Sequence, residues 1–149
     1  MMNYNDFVNN AKFYLDKKIH KISNLANLSA YIFNNLENIN WAGFYLIENG
    51  DLYLGPFQGK PACSNIQMGK GVCGTSAAKR EVLVVDDVNK FSGHIACDSV
   101  SKSEIVIPII TKNGDLLGVL DIDSPINSRF DKDLAKALEN IVLQLVDIL

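Results

Sequence analysis

Hydrophobic residues recur every three or four positions near both ends of the chain, which predicts helices there. The first predicted helix covers about residues 5–20, and Ser23 is a candidate N-cap for a second helix. The last predicted helix follows another candidate N-cap, Asp131, and runs to the C-terminus. Its apolar stripe is wide enough to pack on both a sheet and a second subunit, so a homodimer is one expected assembly.

The central part of the chain predicts strands joined by tight turns. Two Asn-Gly pairs, Asn49-Gly50 and Asn113-Gly114, are the strongest hairpin signals. Pro108 indicates an edge position or a bulge within its strand. Two hairpins make much of the sheet antiparallel, so the predicted fold class is α+β, with one mainly antiparallel sheet flanked by helices. The predicted strands are 41–48, 51–57, 82–85, 105–110 and 116–123.

The segment 58–73 is rich in Gly, Pro, Ser and Asn and is predicted to be a mobile loop leading to a short helix that ends near Arg80. Residues 69–74 match the pattern G-x-G-x-x-G. The preceding segment is a poor strand and no βαβ pattern surrounds it, so a dinucleotide site is disfavoured. We expect these glycines to let the backbone approach a small ligand instead.

Length and composition indicate an ordinary globular protein. The chain has 149 residues, which predicts a single domain over 1–149, and it is 48% apolar and 21% charged. A net charge of −3 and scattered basic residues argue against a nucleic-acid partner. No apolar run is long enough for a bilayer and no leader peptide is recognised, so we expect no membrane partner and a cytoplasmic location.

The polar loop 93–104 carries the strongest chemical candidate, Cys97. Small hydroxyl-bearing residues surround this cysteine, and a predicted strand follows directly, a setting in which catalytic residues often lie. We therefore expect Cys97 to be a nucleophile. His94 is the nearest general base, but a histidine bonded to loop backbone is favoured over a hydrolytic triad.

Thiol redox chemistry fits the cysteine content best. The three cysteines form no C-x-x-C pair, which disfavours a zinc site and a structural disulfide framework. A thiolate that attacks an oxidised atom becomes a sulfenic acid and condenses with a second thiol. Cys63 and Cys73 both lie in the predicted loop, so either could be that second thiol. An external dithiol would then reduce the disulfide, and no metal or bound cofactor is required.

Alternation along the first strand places two aromatic side chains on one face. Trp41, Gly43 and Tyr45 share that face. A glycine between two aromatic residues would leave a hollow with aromatic walls, which suits an apolar group such as a thioether, but from this strand alone ordinary core packing is favoured.

Three acids are predicted to lie near the same face. Asp121 and Asp123 share a strand face, and Glu104 lies at the start of another strand. Paired carboxylates suit an ammonium group, and an acid held protonated can give a proton to an oxygen that develops negative charge. Together with the aromatic residues, these acids describe a pocket for a small zwitterion beside a thiol.

Five short motifs in this order resemble those of the free methionine-(R)-sulfoxide reductases, which are single GAF-domain enzymes. The resemblance extends from about Trp41 to Phe130. The motifs are Trp41–Tyr45, Gly69–Gly74, Gly93–Asp98, Ser103–Val106 and Gly118–Ser124.

The resemblance implies a reaction and a role for each cysteine. Cys97 would attack the sulfoxide sulfur of free L-methionine-(R)-sulfoxide. Cys63 would be the resolving thiol, with Cys73 as a second or alternative partner, and thioredoxin would be the reductant.

The resemblance also assigns the pocket. Trp41 and Tyr45 would hold the methyl-thioether end of the substrate. The acids Glu104, Asp121 and Asp123 would hold the ammonium group and polarise the sulfoxide. Methionine sulfoxide within a peptide chain would be refused.

Two other functions share the predicted fold. A sensory GAF module would bind a cyclic nucleotide or another small ligand, and a plain redox sensor would use the cysteines alone. A ligand-sensing pocket has no need of three cysteines around it, and a redox sensor has no need of the aromatic and acidic residues. Reduction of free methionine sulfoxide is therefore the favoured expectation.

Overall fold

A computed structural model describes residues 3–95 and 97–149 of the chain. These residues form helices, strands and two short 3₁₀ turns, Lys12–Tyr14 and Val88–Lys90. The helices are α1 (Tyr4–Ala11), α2 (Lys21–Asn35), α3 (Gly71–Lys79) and α4 (Lys132–Ile148). The strands are β1 (Trp41–Glu48), β2 (Asp51–Gly59), β3 (Asn65–Ile66), β4 (Leu83–Val85), β5 (Ser103–Ile110) and β6 (Leu116–Ser124).

The strands that the structure describes form one sheet in the order β3-β2-β1-β6-β5-β4. Every neighbouring pair is antiparallel. The two predicted hairpins are present, since β1 pairs with β2 across Asn49-Gly50 and β5 pairs with β6 across Asn113-Gly114. The predicted α+β class with a mainly antiparallel sheet is confirmed.

The two faces of the sheet are covered differently. Helices α1, α2 and α4 pack on one face, where they enclose the larger hydrophobic core. Helix α3 packs on the other face against β5 and β6, where a second apolar cluster surrounds it. The homodimer expected from the apolar stripe of α4 stays a prediction.

The first helix is shorter than the helix predicted over residues 5–20, since α1 ends at Ala11 and a 3₁₀ turn follows. A tertiary contact turns the chain away from the helical path. The buried Asn24 side chain accepts a hydrogen bond from the Asp16 amide (3.0 Å) and donates to the carbonyls of Asp16 (2.9 Å) and Ile19 (3.3 Å). These bonds satisfy backbone amide and carbonyl groups of the loop. In a longer helix, the same groups would have been bonded within the helix.

The N-cap of α2 is His20 and not the predicted Ser23, which lies inside the helix. The His20 Nδ1 atom accepts a hydrogen bond from the Ile22 amide at 3.1 Å. The predicted N-cap of the last helix is confirmed, because the Asp131 carboxylate accepts a hydrogen bond from the Leu134 amide at 2.8 Å.

The segment 58–73, predicted to be a loop, is partly strand. Strand β2 continues to Gly59, and Ile66 of β3 pairs with Leu52. The predicted short helix is present as α3. Strand β3 and α3 fix the segment between β2 and β4, where it lies over the sheet face that carries the predicted site.

Pro108 lies where β5 has one neighbour. Strand β4 pairs only with residues 104–106 of β5, so Pro108 needs a partner only from β6, where it faces Val119. The register shifts between Ile109 and Ile110. Both observations agree with the edge position or bulge that the proline indicated.

Candidate active site

Cross-strand pairing brings the predicted acids and one aromatic residue into a row. Trp41 of β1 lies opposite Asp123 of β6, and Asp123 lies opposite Glu104 of β5. The next row on this face contains Gly43 and Asp121. Directly opposed residues of antiparallel strands point to the same side, so the three acids and Trp41 share one face of the sheet.

The aromatic side chains are held by hydrogen bonds to the backbone of the segment after β2. The Trp41 and Tyr45 rings stack with their centroids 5.9 Å apart. Trp41 Nε1 donates to the Lys60 carbonyl at 3.1 Å, and the Tyr45 hydroxyl donates to the Cys63 carbonyl at 2.9 Å. The aromatic pair therefore fixes the position of Cys63 relative to the sheet.

Of the two alternatives at Gly43, a hollow or ordinary core packing, the structure has close packing at this residue. A Cβ atom at residue 43 would lie 2.7 Å from the Phe57 Cα atom and 2.9 Å from the Pro56 carbonyl oxygen. The glycine therefore admits the backbone of β2 at a close approach. Phe57 in turn stacks on Trp41, with ring centroids 5.1 Å apart.

The structure joins the predicted nucleophile to one of its two candidate partners. Cys97 and Cys63 form a disulfide, with Cα atoms 5.5 Å apart. Cys73 is a free, buried thiol in the first turn of α3 rather than in a loop. Its sulfur lies 3.9 Å from Glu104 Oε2, to which the thiol donates. The catalytic roles of all three cysteines stay predictions.

The acids are buried together, which favours their neutral forms. Glu104 is 7% exposed and Asp121 is 5% exposed, while Asp123 is half-buried. Burial, followed by the charges of Asp121 and Asp123, raises the pKa of Glu104 well above its ordinary value. Burial also raises the pKa of Asp121, and it raises the pKa of Asp123 well above the usual range. The three carboxyl groups beside the disulfide therefore favour their protonated forms.

A cavity lies between the acids, the aromatic rings and the cysteine loop. Its volume is about 40 Å³ in this disulfide form, which is room for about one water molecule. The residues that line it include all eight predicted site residues except Cys63, together with nearby loop residues. They are Trp41, Tyr45, Pro61, Ala62, Ile66, Lys70, Gly71, Val72, Cys73, His94, Ile95, Cys97, Asp98, Ser101, Glu104, Asp121 and Asp123.

A polar link that the sequence did not reveal ties the cysteine loop to the start of β1. Asn40 Nδ2 donates to Asp98 Oδ2 at 3.2 Å and to Ser101 Oγ at 3.0 Å. The polar character of the loop was visible in the sequence, but the partner before Trp41 was not. This link positions Cys97, which lies directly before Asp98.

His94 lines the cavity, and its backbone amide donates to the Phe91 carbonyl at 3.2 Å. Burial lowers the pKa of its imidazole, so the neutral form is favoured near neutral pH. The backbone bond agrees with the expected loop role of this histidine.

Comparison with known proteins identifies the class of this domain. The GAF domain family model matches residues 17–148. The chain is 51% identical over 128 residues to the free methionine-R-sulfoxide reductase of Escherichia coli, which covers 86% of this chain and 77% of that protein. It is 49% identical to the free methionine-R-sulfoxide reductase of Saccharomyces cerevisiae, over 85% of this chain and 74% of that protein.

Solved structures give the same result. The fRMsr of Staphylococcus aureus in complex with substrate superposes with a TM-score of 0.93 at 48% identity, covering 99% of this chain and 96% of that chain. The free methionine-R-sulfoxide reductase of Neisseria meningitidis in complex with its substrate gives a TM-score of 0.92 at 37% identity, covering 97% of this chain and 87% of that chain. The protein is thus a GAF domain. Within that class, the chain belongs to the free methionine-R-sulfoxide reductase family, and the resemblance of its motifs is confirmed.

One further finding concerns membranes. None of the helices in residues 3–95 and 97–149 combines the length and the apolar character that a membrane span requires.

Proposed function

We propose that this protein is an oxidoreductase that reduces free L-methionine-(R)-sulfoxide to L-methionine, with Cys97 as the attacking thiol and Cys63 as the resolving thiol. The observation that carries the proposal is the Cys63–Cys97 disulfide beside a row of buried acids, in a chain of this family. A disulfide at this place is the product that such a reaction leaves behind.

The proposed chemistry balances in three steps. The Cys97 thiolate attacks the sulfoxide sulfur and forms a sulfur–sulfur bond, while the sulfoxide oxygen accepts a proton. The oxygen then passes to the Cys97 sulfur as the S–O and S–S bonds break, so methionine leaves reduced by two electrons and Cys97 becomes a sulfenic acid. The Cys63 thiol then attacks the Cys97 sulfur, which forms the disulfide and releases water. An external dithiol, which we take to be thioredoxin, reduces the disulfide by exchange and is itself oxidised. No metal and no bound cofactor take part in these steps.

The acids supply the proton that the first step needs. A sulfoxide oxygen gains negative charge as its sulfur is attacked, and a neutral carboxyl group within reach can protonate it. Glu104 suits this role, because burial and the neighbouring Asp121 and Asp123 raise its pKa well above the ordinary value and favour its protonated form. An ammonium group next to the half-buried Asp123 would favour the carboxylate form of this acid, so Asp123 is the proposed partner of the substrate ammonium group.

The aromatic residues and the size of the site account for the choice of substrate. The stacked rings of Trp41 and Tyr45 offer an apolar surface to the methyl-thioether end. Acids close to this surface would bind a free ammonium group, which a methionine inside a peptide lacks. Since the cavity of the disulfide form has room for about one water molecule, substrate would bind to the reduced enzyme.

The cytoplasm is the expected location, because a reducing compartment supplies the dithiol that regenerates the enzyme. Cys73 is a buried thiol close to Glu104 and is the alternative resolving thiol if Cys63 does not fill that role.

Turnover with separated sulfoxide isomers tests the proposal. NADPH consumption is followed with thioredoxin and its reductase, using free methionine-(R)-sulfoxide, the free (S) isomer and an N-acetylated (R) substrate. We expect turnover of the free (R) isomer alone and no turnover in Cys97→Ser. If neither isomer reacts while all three thiols are reduced, the reductase proposal is wrong, and a ligand-sensing GAF module becomes the better account.

A further inference from the structure

We propose that Cys73, Glu104 and Asp121 form a binding site for a thiophilic divalent cation, with Zn²⁺ as the fitting ion, and that this cation excludes substrate. The cation site stands on geometry alone. The exclusion of substrate rests on the proposed function, because it assumes that the same acids bind the sulfoxide.

The ligand atoms are already close to the spacing that zinc needs. One ligand atom from each of the three residues lies within 4.8 Å of the other two. The Cys73 sulfur and Glu104 Oε2 are 3.9 Å apart. Tetrahedral zinc with ordinary Zn–S and Zn–O bond lengths places sulfur and oxygen roughly 3.6 Å apart. A closure of a few tenths of an ångström therefore completes this edge of the site.

An unpaired buried oxygen points independently to a ligand. Asp121 is 5% exposed and lines the cavity, and its Oδ1 atom has no hydrogen-bond partner among the described residues. A buried acceptor without a partner costs free energy. A cation at this position would give that oxygen a partner.

The surroundings offer little positive charge to compete with a cation. Lys70 lines the cavity but is exposed, and it forms no ion pair with the acids in the part of the chain that the structure describes. The half-buried Asp123 adds a further carboxyl group next to Glu104. A divalent ion would therefore meet a site rich in acceptor atoms.

The donor set selects the kind of ion. One thiolate and two carboxylates suit zinc better than magnesium or calcium, which prefer oxygen ligands alone. Three protein ligands leave a fourth position open on a tetrahedral ion. The adjoining cavity of about 40 Å³ has room for the water that would fill it.

Binding of a metal ion at this site should release protons, which can be measured. Burial, followed by the charges of Asp121 and Glu104, raises the pKa of the Cys73 thiol well above its ordinary value. A metal binds the thiolate, so binding must release protons. The affinity should consequently rise with pH.

The test uses the oxidised protein, in which the Cys63–Cys97 disulfide leaves Cys73 as the free thiol. Co²⁺ is titrated as a spectroscopic stand-in for Zn²⁺. We expect a sulfur-to-cobalt charge-transfer absorption that saturates at about one ion per chain, falls when Zn²⁺ is added, and is accompanied by proton release. Absence of this absorption in the oxidised protein would overturn the proposal.

Variants identify the ligands. Cys73→Ser should abolish the charge-transfer absorption, and Asp121→Asn should weaken Co²⁺ binding by at least about 10-fold, taking the lower range found for groups that support a metal site. Asp98→Asn, which alters another acid of the same cavity, is the matched control and should retain binding. The same absorption in Cys73→Ser, or equal affinity in Asp121→Asn, contradicts the assigned ligands. Circular dichroism checks that each variant is folded.

A double variant separates this site from the redox pair. Cys63→Ser/Cys97→Ser lacks the disulfide and should still bind Co²⁺ with the same absorption. Loss of binding in this folded variant would mean that the metal used the redox cysteines.

Inhibition links the site to turnover. Zn²⁺ should raise the apparent KM for sulfoxide and leave the limiting rate at saturating substrate unchanged. An inhibition that substrate does not relieve would contradict exclusion. The binding assays contain no sulfoxide, so their failure leaves the reductase proposal standing, whereas absent turnover in metal-free enzyme counts against the reductase proposal alone.

Discussion

The two faces of the central strands have the same backbone and opposite chemistry. Toward α1, α2 and α4, the strands present mainly buried apolar side chains. These are Ala42, Phe44, Leu46, Ile105, Ile107, Ile109, Leu120 and Ile122. Toward α3 and the cysteine loop, alternate residues of the same strands present Trp41, Glu104, Asp121 and Asp123.

The contrast shows how stability and chemistry are divided in this domain. The apolar face buries area from water, which favours folding. The other face buries carboxyl groups, which costs free energy unless they stay protonated or gain a partner. The helix-covered core stabilises the strands that carry the buried acids, and it thereby offsets the free-energy cost of burying them.

The largest effect should come from changing an acid on the site face. Glu104→Gln keeps the shape of the side chain but removes the proton donor. We expect kcat to fall by about 10²- to 10⁴-fold, the usual contribution of a general acid, while the free energy of unfolding does not fall. Glu139→Gln on the exposed side of α4 is the matched control. A kcat within a few-fold of the wild-type value would remove Glu104 from the proton-transfer role.

A large-to-small change on the apolar face should have the opposite outcome. Leu120 is fully buried in the larger core. Leu120→Ala should lower the free energy of unfolding by about 2–5 kcal/mol, measured by urea denaturation, and leave KM unchanged in the folded enzyme. Leu143→Ala, at an exposed leucine of α4, should change stability far less. A change in KM as large as in an acid variant would mean that the two faces are not separable.

The dependence of stability on pH should differ between the wild-type protein and Asp121→Asn. Burial raises the pKa of Asp121 in the folded protein above the ordinary carboxyl value of about 4. At a pH between these two values, the folded state binds more protons than the unfolded state. Wild-type stability therefore falls as pH rises through this range, by about 1.4 kcal/mol for each unit of raised pKa.

Asp121→Asn has no titrating group at this position, so its free energy of unfolding does not fall in this way as the pH rises. Its stability relative to wild type should grow between pH 4 and pH 7, as measured by urea denaturation at each pH. A difference that shrinks with rising pH would mean that Asp121 is held as a carboxylate in the folded protein.

The smallest effect should come from charges that water surrounds. Lys112 and Asp147 form an ion pair at 3.0 Å, with side chains 79% and 62% exposed. Lys112→Ala should change the free energy of unfolding by less than about 1 kcal/mol and leave its pH profile between pH 4 and pH 7 like that of the wild type. A larger change would weaken the argument that burial is what makes the charges of the site important.

Local patterns in the sequence predict much of the site. Because the side-chain period of a strand is two, alternation along β1 predicts which face of that strand carries Trp41. Alternation along β6 likewise predicts that Asp121 and Asp123 share one face of their own strand. The pairing of β1 with β6, which makes these faces one, joins strands that are far apart in sequence. No local pattern specifies that pairing.

The parts that the sequence does not reveal depend on tertiary contacts. The residue pattern alone does not distinguish Cys63 from Cys73, although the family resemblance favours Cys63. The path of the chain after β2 is what brings Cys63 to Cys97. The early end of α1 likewise depends on the hydrogen bonds of Asn24 to a loop eight residues away. The close approach of Phe57 to Gly43 depends on a register shift in the β1–β2 pair.

A single-turnover experiment tests the central claim most directly. Fully reduced protein is mixed with free methionine-(R)-sulfoxide without any reductant, and both methionine and disulfide-linked peptides are measured. The account predicts about one methionine per chain and one new disulfide, between Cys63 and Cys97. Cys63→Ala should also form about one methionine per chain, but unlike the wild type it should not turn over repeatedly once thioredoxin and its reductase are added. If the reduced protein forms no methionine, or if methionine appears while Cys97 remains a free thiol, the account is wrong.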